Sequence, residues 1–115
     1  MTIERKKPGQ FFSAIVIHND TVYLAGITPD NLEADVKGQT EEVLAKIDAL
    51  LKEAGTNKSK LLKANIWLTD MRTFAQMNEA WTAWVDADNK PVRATVEAKL
   101  ANPKILVEIM VEAAR

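Results

Sequence analysis

Residues 91–112, PVRATVEAKLANPKILVEIMVE, carry the clearest structural signal in the chain. Two runs within this stretch alternate between apolar and polar side chains, and they meet at Asn102-Pro103. Successive side chains of a β-strand point to opposite faces of a sheet, so the pattern predicts two strands joined by a turn. One predicted face is apolar, and the other carries Arg93, Thr95 and Glu108.

A guanidinium and a carboxylate on such rigid, β-branched strands suggest a binding site. Under this hypothesis Arg93 binds an anion and Glu108 positions a water molecule beside it. Two simpler interpretations stay open at this point. The two residues could be solvated polar side chains, or they could form an ion pair across neighbouring strands.

Three more strands and two helices are predicted upstream. Alternating or β-branched runs predict strands at 11–18, 21–27 and 61–69, and Asn19-Asp20 predicts a tight hairpin turn between the first two. Residues 1–10 are polar and are expected to form a short edge strand at most.

The helices are predicted from a change of period. Apolar residues recur every three or four positions from 36 to 54, and Gly55 supplies a stop signal. Asp70 is a suitable N-cap for a second helix over 71–85. Asn78 lies inside the apolar stripe of that second helix, so we expect its amide either to cap a backbone group or to meet a ligand.

The order β-β-α-β-α-β-β predicts an α+β fold, with residues 1–115 as one domain. Two helices can cover only one face of such a sheet. The other face is expected to carry Trp67, Leu106, Met110 and Arg93, which is too apolar a set to be left in water. We therefore expect self-association to cover that face, with a ligand site at the subunit boundary.

Composition excludes several classes of function. A net charge of −1 and a pI near 5.8 argue against general affinity for nucleic acid or anionic membranes. Cysteine is absent and His18 is the single histidine, which leaves no zinc site, no thiol nucleophile and no histidine pair for ribonuclease chemistry. The chain has no glycine-rich phosphate loop, signal peptide or membrane-spanning run, so a cytoplasmic protein without metal or cofactor is expected.

Several segments taken together resemble the reactive intermediate deaminase family, also known as RidA or YjgF-like proteins, and most closely its small YoaB-type branch. The similar segments are QTEEVLAKIDALLKEAG at 39–55, KANIWLTDMRTFAQMNEAW at 63–81, PVRATVEAKL at 91–100 and LVEIMVEAA at 106–114. The Pro-x-Arg opening and the Val-Glu-Ile strand, with Arg93 and Glu108 fifteen positions apart, are the specific part.

The resemblance implies a chorismate-mutase-like fold, a homotrimer with sites between subunits, and cofactor-independent hydrolysis of enamines and imines such as 2-aminoacrylate. By position, Arg93 resembles the arginine that holds the substrate carboxylate, and Glu108 resembles the carboxylate that positions water. The resemblance also implies substrate contacts from a helix asparagine, a strand residue and three residues near the first hairpin, namely Asn78, Thr95, Phe12, Ala25 and Gly26.

Two departures from the family pattern bear on catalysis. Phe12 stands where many relatives have tyrosine, and Ala25-Gly26-Ile27 stands where many have Ser-Gly-Gln. Both changes remove a hydroxyl that could bind substrate or pass a proton. The main hypothesis is therefore an imine and enamine deaminase, and the alternative is a non-catalytic trimer that binds small carboxylates in the same cleft. A protein-interaction surface and RNA cleavage are weaker alternatives.

Overall fold

The structure, a computed structural model, describes residues 2–115. Its six strands are β1 (Ile3–Pro8), β2 (Ser13–His18), β3 (Thr21–Leu24), β4 (Leu61–Leu68), β5 (Val92–Glu97) and β6 (Val107–Ala114). Its two α-helices are α1 (Val36–Glu53) and α2 (Phe74–Trp84), each beside a single turn of 3₁₀-helix, Lys58–Lys60 and Met71–Thr73. None of the helices in this part of the chain is long and apolar enough to cross a lipid bilayer.

The strands form one mixed sheet in the order β1-β2-β3-β6-β4-β5. Only the β4–β5 pair is parallel. The predicted hairpin is confirmed, because His18 pairs with Thr21 and Asn19 takes the positive φ of 56° that a tight turn requires. The polar N-terminal segment forms the edge strand β1, which is longer than the sequence suggested.

Local signals set the ends of α1 where the sequence predicted them. The Asp35 carboxylate accepts a hydrogen bond from the Gly38 backbone at the N-terminus, and Gly55 follows the C-terminus with a φ of 83°. The second helix begins later than expected. Asp70 does act as a cap, but it caps the 3₁₀ turn through the Arg72 backbone N–H, so regular α-helix starts at Phe74.

The core lies between the two helices and one face of the sheet. The alternation of β6 is as predicted, since every second residue from Val107 to Ala113 is buried. The buried stripe of α1 packs on the same side. The opposite face of the sheet, here called the open face, has no helix on it among residues 2–115, and Tyr23, Trp67 and Met110 lie there.

The two strands of the 91–112 stretch are not neighbours. Strand β4 lies between β5 and β6, pairing in parallel with one and antiparallel with the other. An ion pair between directly opposed Arg93 and Glu108 is therefore excluded within one chain. The connection after β5 has to carry the chain past β4, which the length of the 98–106 segment allows.

The prediction that Arg93, Thr95 and Glu108 share a face is also wrong. Arg93 is opposite Ala64 and Thr95 is opposite Ile66, and both of these β4 residues are buried under the helices. Glu108 is opposite Trp67, the alternate residue on the open face. Opposed residues of neighbouring strands point to the same side of a sheet, so Arg93 lies on the helix side and Glu108 on the open face.

The alternation in β5 was identified correctly, but its apolar side points outward. Val92 and Val96 are 69% and 50% exposed, while Arg93 and Thr95 are half-buried. The placement expected for Arg93 on the open face, with Trp67 and Met110, is thus corrected, and Leu106 lies in the loop before β6. The helix α2 packs over the inner side of β5 and accommodates the polar residues there.

Candidate functional site

The guanidinium of Arg93 is enclosed by side chains of α2. Its Nη1 donates a hydrogen bond of 2.8 Å to Oδ1 of Asn78. Its Cζ lies 5.3 Å from the ring centre of Trp81 and 5.7 Å from that of Phe74. Phe74, Asn78 and Trp81 are spaced four and three residues apart, so they lie on one side of the helix and face the same strand.

The Arg93 guanidinium is fixed in position, but no acidic side chain among the described residues neutralises its charge. It forms no ion pair with any residue from 2 to 115, and the partner that it does have is a neutral amide. Partial burial lowers its pKa, although an arginine remains protonated at any physiological pH. A planar guanidinium fixed between aromatic rings, with most of its donors free, is well suited to bind a carboxylate through two parallel hydrogen bonds.

A cavity of about 400 Å³ adjoins this arginine. Its lining includes Arg93, Asn78, Trp81, Lys90 and Pro91. Thr95, two residues along β5, has a buried hydroxyl that lacks a hydrogen-bond partner among the described residues. This cavity and these residues are called the arginine half-site below.

A second cavity of about 350 Å³ lies on the other side of the sheet, over the end of the β2–β3 hairpin that is opposite its turn. Its walls are mostly apolar and include Phe12, Tyr23, Ala25, Gly26 and Met110, with Glu108 as its one ionisable carboxylate. These residues form the glutamate half-site. It contains the three hairpin positions that the resemblance assigned to substrate binding.

The Glu108 carboxylate is unpaired among residues 2–115, although Ser13 and Tyr23 line the same cavity. Within the described part of the chain it accepts no hydrogen bond and forms no ion pair, and burial raises its pKa above the usual glutamate range. Its side chain lies against Gly26, where an added Cβ would overlap Oε2 and come within 3.1 Å of Cδ. A partly desolvated carboxylate with a raised pKa has the property expected of a general base near neutral pH.

The structure thus brings the predicted residues together in two groups. Phe12, Ala25 and Gly26 surround Glu108, whereas Asn78 contacts Arg93. The Asn78 amide oxygen accepts from Arg93 and caps no backbone group, and the ligand contact expected of Asn78 stays a prediction, since this residue lines the cavity. The two groups lie on opposite sides of the sheet and do not meet within one chain.

Several residues of these half-sites were not assigned to a site from the sequence, among them Phe74, Trp81, Tyr23 and Met110. Phe74 and Trp81 belong to the apolar stripe predicted for the second helix, and their spacing around Asn78 was visible and could have indicated an aromatic cage. Tyr23 and Met110 carried no signal beyond strand alternation. Among residues 2–115 there is no cluster of three or more histidine, cysteine, aspartate or glutamate side chains that could hold a metal ion.

A mixed six-stranded sheet backed by two helices, with an arginine half-site on one side and a glutamate half-site on the other, defines a class of small α+β proteins. A family model described as endoribonuclease L-PSP matches residues 2–115. The chain is 52% identical over 114 residues to the RutC family protein YoaB of Escherichia coli strain K12, covering 99% of each chain. The chain belongs to the RidA/YjgF family, to which RutC-type proteins are assigned.

Solved structures agree with this assignment. A YjgF family member from Neisseria meningitidis superposes with a TM-score of 0.97 at 42% identity, covering 100% of this chain and 96% of that one. A protein of unknown function from Yersinia pestis, described as belonging to the conserved Rid protein family, has a TM-score of 0.86 at 33% identity, covering 92% and 89%. The α+β fold predicted from the sequence is confirmed.

Proposed function

We propose that the protein hydrolyses reactive enamines and imines derived from amino acids, such as 2-aminoacrylate and 2-imino acids, to 2-oxo acids and ammonia. The observation that carries this proposal is the pair of half-sites, one a cation without a counter-ion and the other a partly desolvated carboxylate without a polar partner. A small anionic substrate with an electrophilic carbon needs both groups, the cation to bind its negative charge and the carboxylate to activate the water that attacks the carbon.

Arg93 would bind the substrate carboxylate. Asn78 fixes one edge of the guanidinium, and the Trp81 and Phe74 rings hold its plane, so the remaining N–H groups are oriented before substrate arrives. The hydroxyl of Thr95 is a further hydrogen-bonding group without a partner beside it. Lys90 is the other cation that lines this cavity, and no acidic residue lines it, which suits an anionic substrate.

Glu108 would act on water. An enamine gains a proton at its terminal carbon and becomes an iminium ion, and water then adds to the C=N carbon while Glu108 takes a proton from it. Glu108 returns its proton to the nitrogen of the resulting carbinolamine, and the C–N bond breaks to release ammonia. The hydroxyl proton is lost to solvent as the C=O bond forms, which balances the solvent proton that the enamine gained. The oxygen of water becomes the oxygen of the 2-oxo acid, and the reaction needs no oxidant or reductant.

The two half-sites can meet in one reaction only if they come from different copies of the chain. Arg93 and Glu108 face opposite sides of the sheet, and their register and the strand spacing put their Cα atoms roughly 14 Å apart. The exposed apolar side chains of β5 and of the open face favour self-association. We propose a homotrimer with one site in each cleft between subunits, as the family resemblance implies.

The test is release of 2-oxo acid from freshly generated 2-aminoacrylate, measured with the native protein and with Arg93→Ala. We expect the native protein to exceed the spontaneous rate and the variant to lose that excess. Arg72→Ala is the matched control, since Arg72 is exposed and paired with Asp70 outside both half-sites. Retained turnover in Arg93→Ala would contradict the proposed role of that residue.

A non-catalytic carboxylate-binding protein is the second candidate. Phe12 and Ala25 favour it, because both line the glutamate half-site and neither offers a hydroxyl. Under this alternative the native protein would bind pyruvate or a related 2-oxo acid in calorimetry, Arg93→Ala would not, and neither would accelerate hydrolysis.

A further inference from the structure

Gly26 is the residue against which the carboxylate of Glu108 rests. A Cβ built on Gly26 has all three of its nearest contacts in the Glu108 side chain, overlapping Oε2 and lying 3.1 Å from Cδ and 3.5 Å from Cγ. The space that a side chain would fill at this position is therefore already occupied by the glutamate.

Backbone conformation does not account for the glycine. Gly55 is the one glycine of the described chain with a positive φ, so the backbone at position 26 is of a kind that an L-residue can adopt. The sole obstacle to a side chain at this position is the Glu108 carboxylate.

The backbone around Gly26 is fixed on both sides. The Ala25 N–H donates to the Ala14 carbonyl at 2.9 Å. Ile27 and Ile109 exchange two hydrogen bonds, of 2.8 and 3.1 Å, which tie the glycine segment to β6 at the residue after Glu108. Because the segment is tied to both neighbouring strands, an added methyl group would displace the carboxylate more readily than the backbone.

No hydrogen bond or ion pair within the described residues fixes this carboxylate. Glu108 has no hydrogen-bond donor or cation as a partner within residues 2–115, so packing alone sets its position. Packing against a bare Cα lets the carboxylate lie back into the wall of the cavity, where it is partly withdrawn from water. A carboxylate displaced from its contact with Gly26 would project further into the cavity and into solvent.

We propose that Gly26 is a positioning residue, which by lacking a side chain seats the Glu108 carboxylate in the wall of the glutamate half-site at the angle needed to activate water. This inference rests on the role proposed for Glu108 and assigns to Gly26 a steric function instead of a direct substrate contact. It also accounts for glycine at a position where the backbone would accept alanine.

The first test is the kinetics of Gly26→Ala on 2-aminoacrylate. We expect kcat to fall about 10- to 100-fold, since a displacement of about 1 Å in a reacting group has an effect of that size, while KM changes much less because Arg93 is untouched. Gly9→Ala is the matched control, as its Cβ would meet only the Phe12 carbonyl at an ordinary 3.5 Å. An unchanged kcat in Gly26→Ala would overturn the proposal.

The second test is rescue. Glu108→Asp shortens the side chain by one methylene and withdraws the carboxylate from the space that the new methyl group needs. We expect Gly26→Ala to reduce kcat much less in the Glu108→Asp background than in the native chain. Equal losses in the two backgrounds would mean that Gly26 does not act through Glu108.

A third measurement monitors the environment of the Glu108 carboxylate and does not depend on activity. The titration of Glu108, followed by NMR of ¹³C-labelled glutamate carboxyl groups, should give a lower pKa in Gly26→Ala than in the native chain, because the displaced group is better hydrated. Thermal unfolding should stay within a few degrees of native. An unshifted Glu108 titration would overturn the proposal even if the native chain proved to have no deaminase activity, so the two failures are distinguishable.

Discussion

At the scale of single residues, the arginine half-site depends on the neutrality of one side chain. Asn78 is in a position to orient Arg93 without cancelling its charge, because an amide oxygen accepts a hydrogen bond and carries no net charge. An aspartate at the same position would hold the guanidinium at least as firmly but would supply the carboxylate for which the substrate would have to compete.

Asn78→Asp should therefore separate orientation from charge. We expect KM for 2-aminoacrylate to rise more than about 10-fold, since hydrogen bonds between charged groups are worth about 1.5–3 kcal/mol and the substrate must displace one. Steady-state kinetics at several substrate concentrations would measure it. Gln76→Glu on the exposed side of α2 is the control for an added charge outside the two cavities, and an unchanged KM in Asn78→Asp would contradict the proposed carboxylate contact.

Glu108 predicts a dependence on pH with opposite signs for activity and stability. Burial raises the pKa of Glu108 above the usual glutamate value of about 4.3. The ionised, active form is therefore lost as pH falls through this raised pKa. The folded state binds this proton more tightly than the unfolded state, so ionised Glu108 lowers the free energy of unfolding at neutral pH. That cost disappears once pH falls below the unfolded pKa.

Glu108→Gln should then be inactive yet more resistant to urea than the native protein at pH 7, with the difference shrinking toward pH 4. Urea unfolding at a fixed protein concentration and both pH values would show it. A variant that is less stable than native at pH 7 would indicate that the ionised carboxylate has a stabilising partner.

At the scale of elements, what the sequence could predict depended on how local each signal was. Alternation identified β5 and β6, and the three- and four-residue period identified α1, because both follow from backbone geometry within a few residues. The order of strands does not. Nothing in residues 91–112 shows that β4 inserts between the two strands, so Arg93 and Glu108 were placed on one face although they lie on two.

Strand β4 shows the same limit on a smaller scale. The alternation that places Ala64, Ile66 and Leu68 in the core also predicts a buried Leu62, yet that side chain is 47% exposed. A register shift between Leu61 and Lys63 against β6 moves Leu61 inward in its place. The half-sites were predictable as residue types, since Arg93, Glu108 and Asn78 are all in them, but not as two separate places.

One element contact predicts a large effect on stability. Gln39 is fully buried in α1, donates to the Ala34 and Lys104 carbonyls and accepts from the Leu106 N–H at 2.8 Å, so it fixes the loop that enters β6. Gln39→Ala would leave three partly buried backbone groups without their side-chain partner and a cavity in place of the buried amide. We expect the free energy of unfolding to fall by about 2–4 kcal/mol.

Urea unfolding would measure that loss, and Gln76→Ala on the exposed side of α2 is the matched control, expected to change stability by less than about 0.5 kcal/mol. A loss in Gln39→Ala no greater than in the control would mean that water replaces the amide at no cost.

At the scale of the whole molecule, the proposed use of both half-sites in one reaction would make function a property of the assembly. The helix side of one copy has to face the open side of another for Arg93 and Glu108 to meet. This requirement can be tested without any structure of the assembly, because two different inactive variants each retain the half-site that the other lacks.

Subunits of Arg93→Ala and Glu108→Gln, unfolded and refolded together in equal amounts, should regain about a quarter of the native activity, the share of sites that pair two intact halves at random. The same treatment of each variant alone should regain none. Absence of recovery in a mixture shown by native mass spectrometry to contain both subunits would contradict a site shared between copies.

The place of β6 in the sheet also constrains how the chain can be built on the ribosome. This strand joins β3 to β4, so before residues 107–114 have emerged the nascent chain holds two separate pieces of sheet, β1–β2–β3 and β4–β5, with nothing to connect them. The central strand is synthesised after every strand that it connects. The sheet can therefore be completed only after β6 has been synthesised, and a premature stop codon that removes β6 would divide the sheet in two.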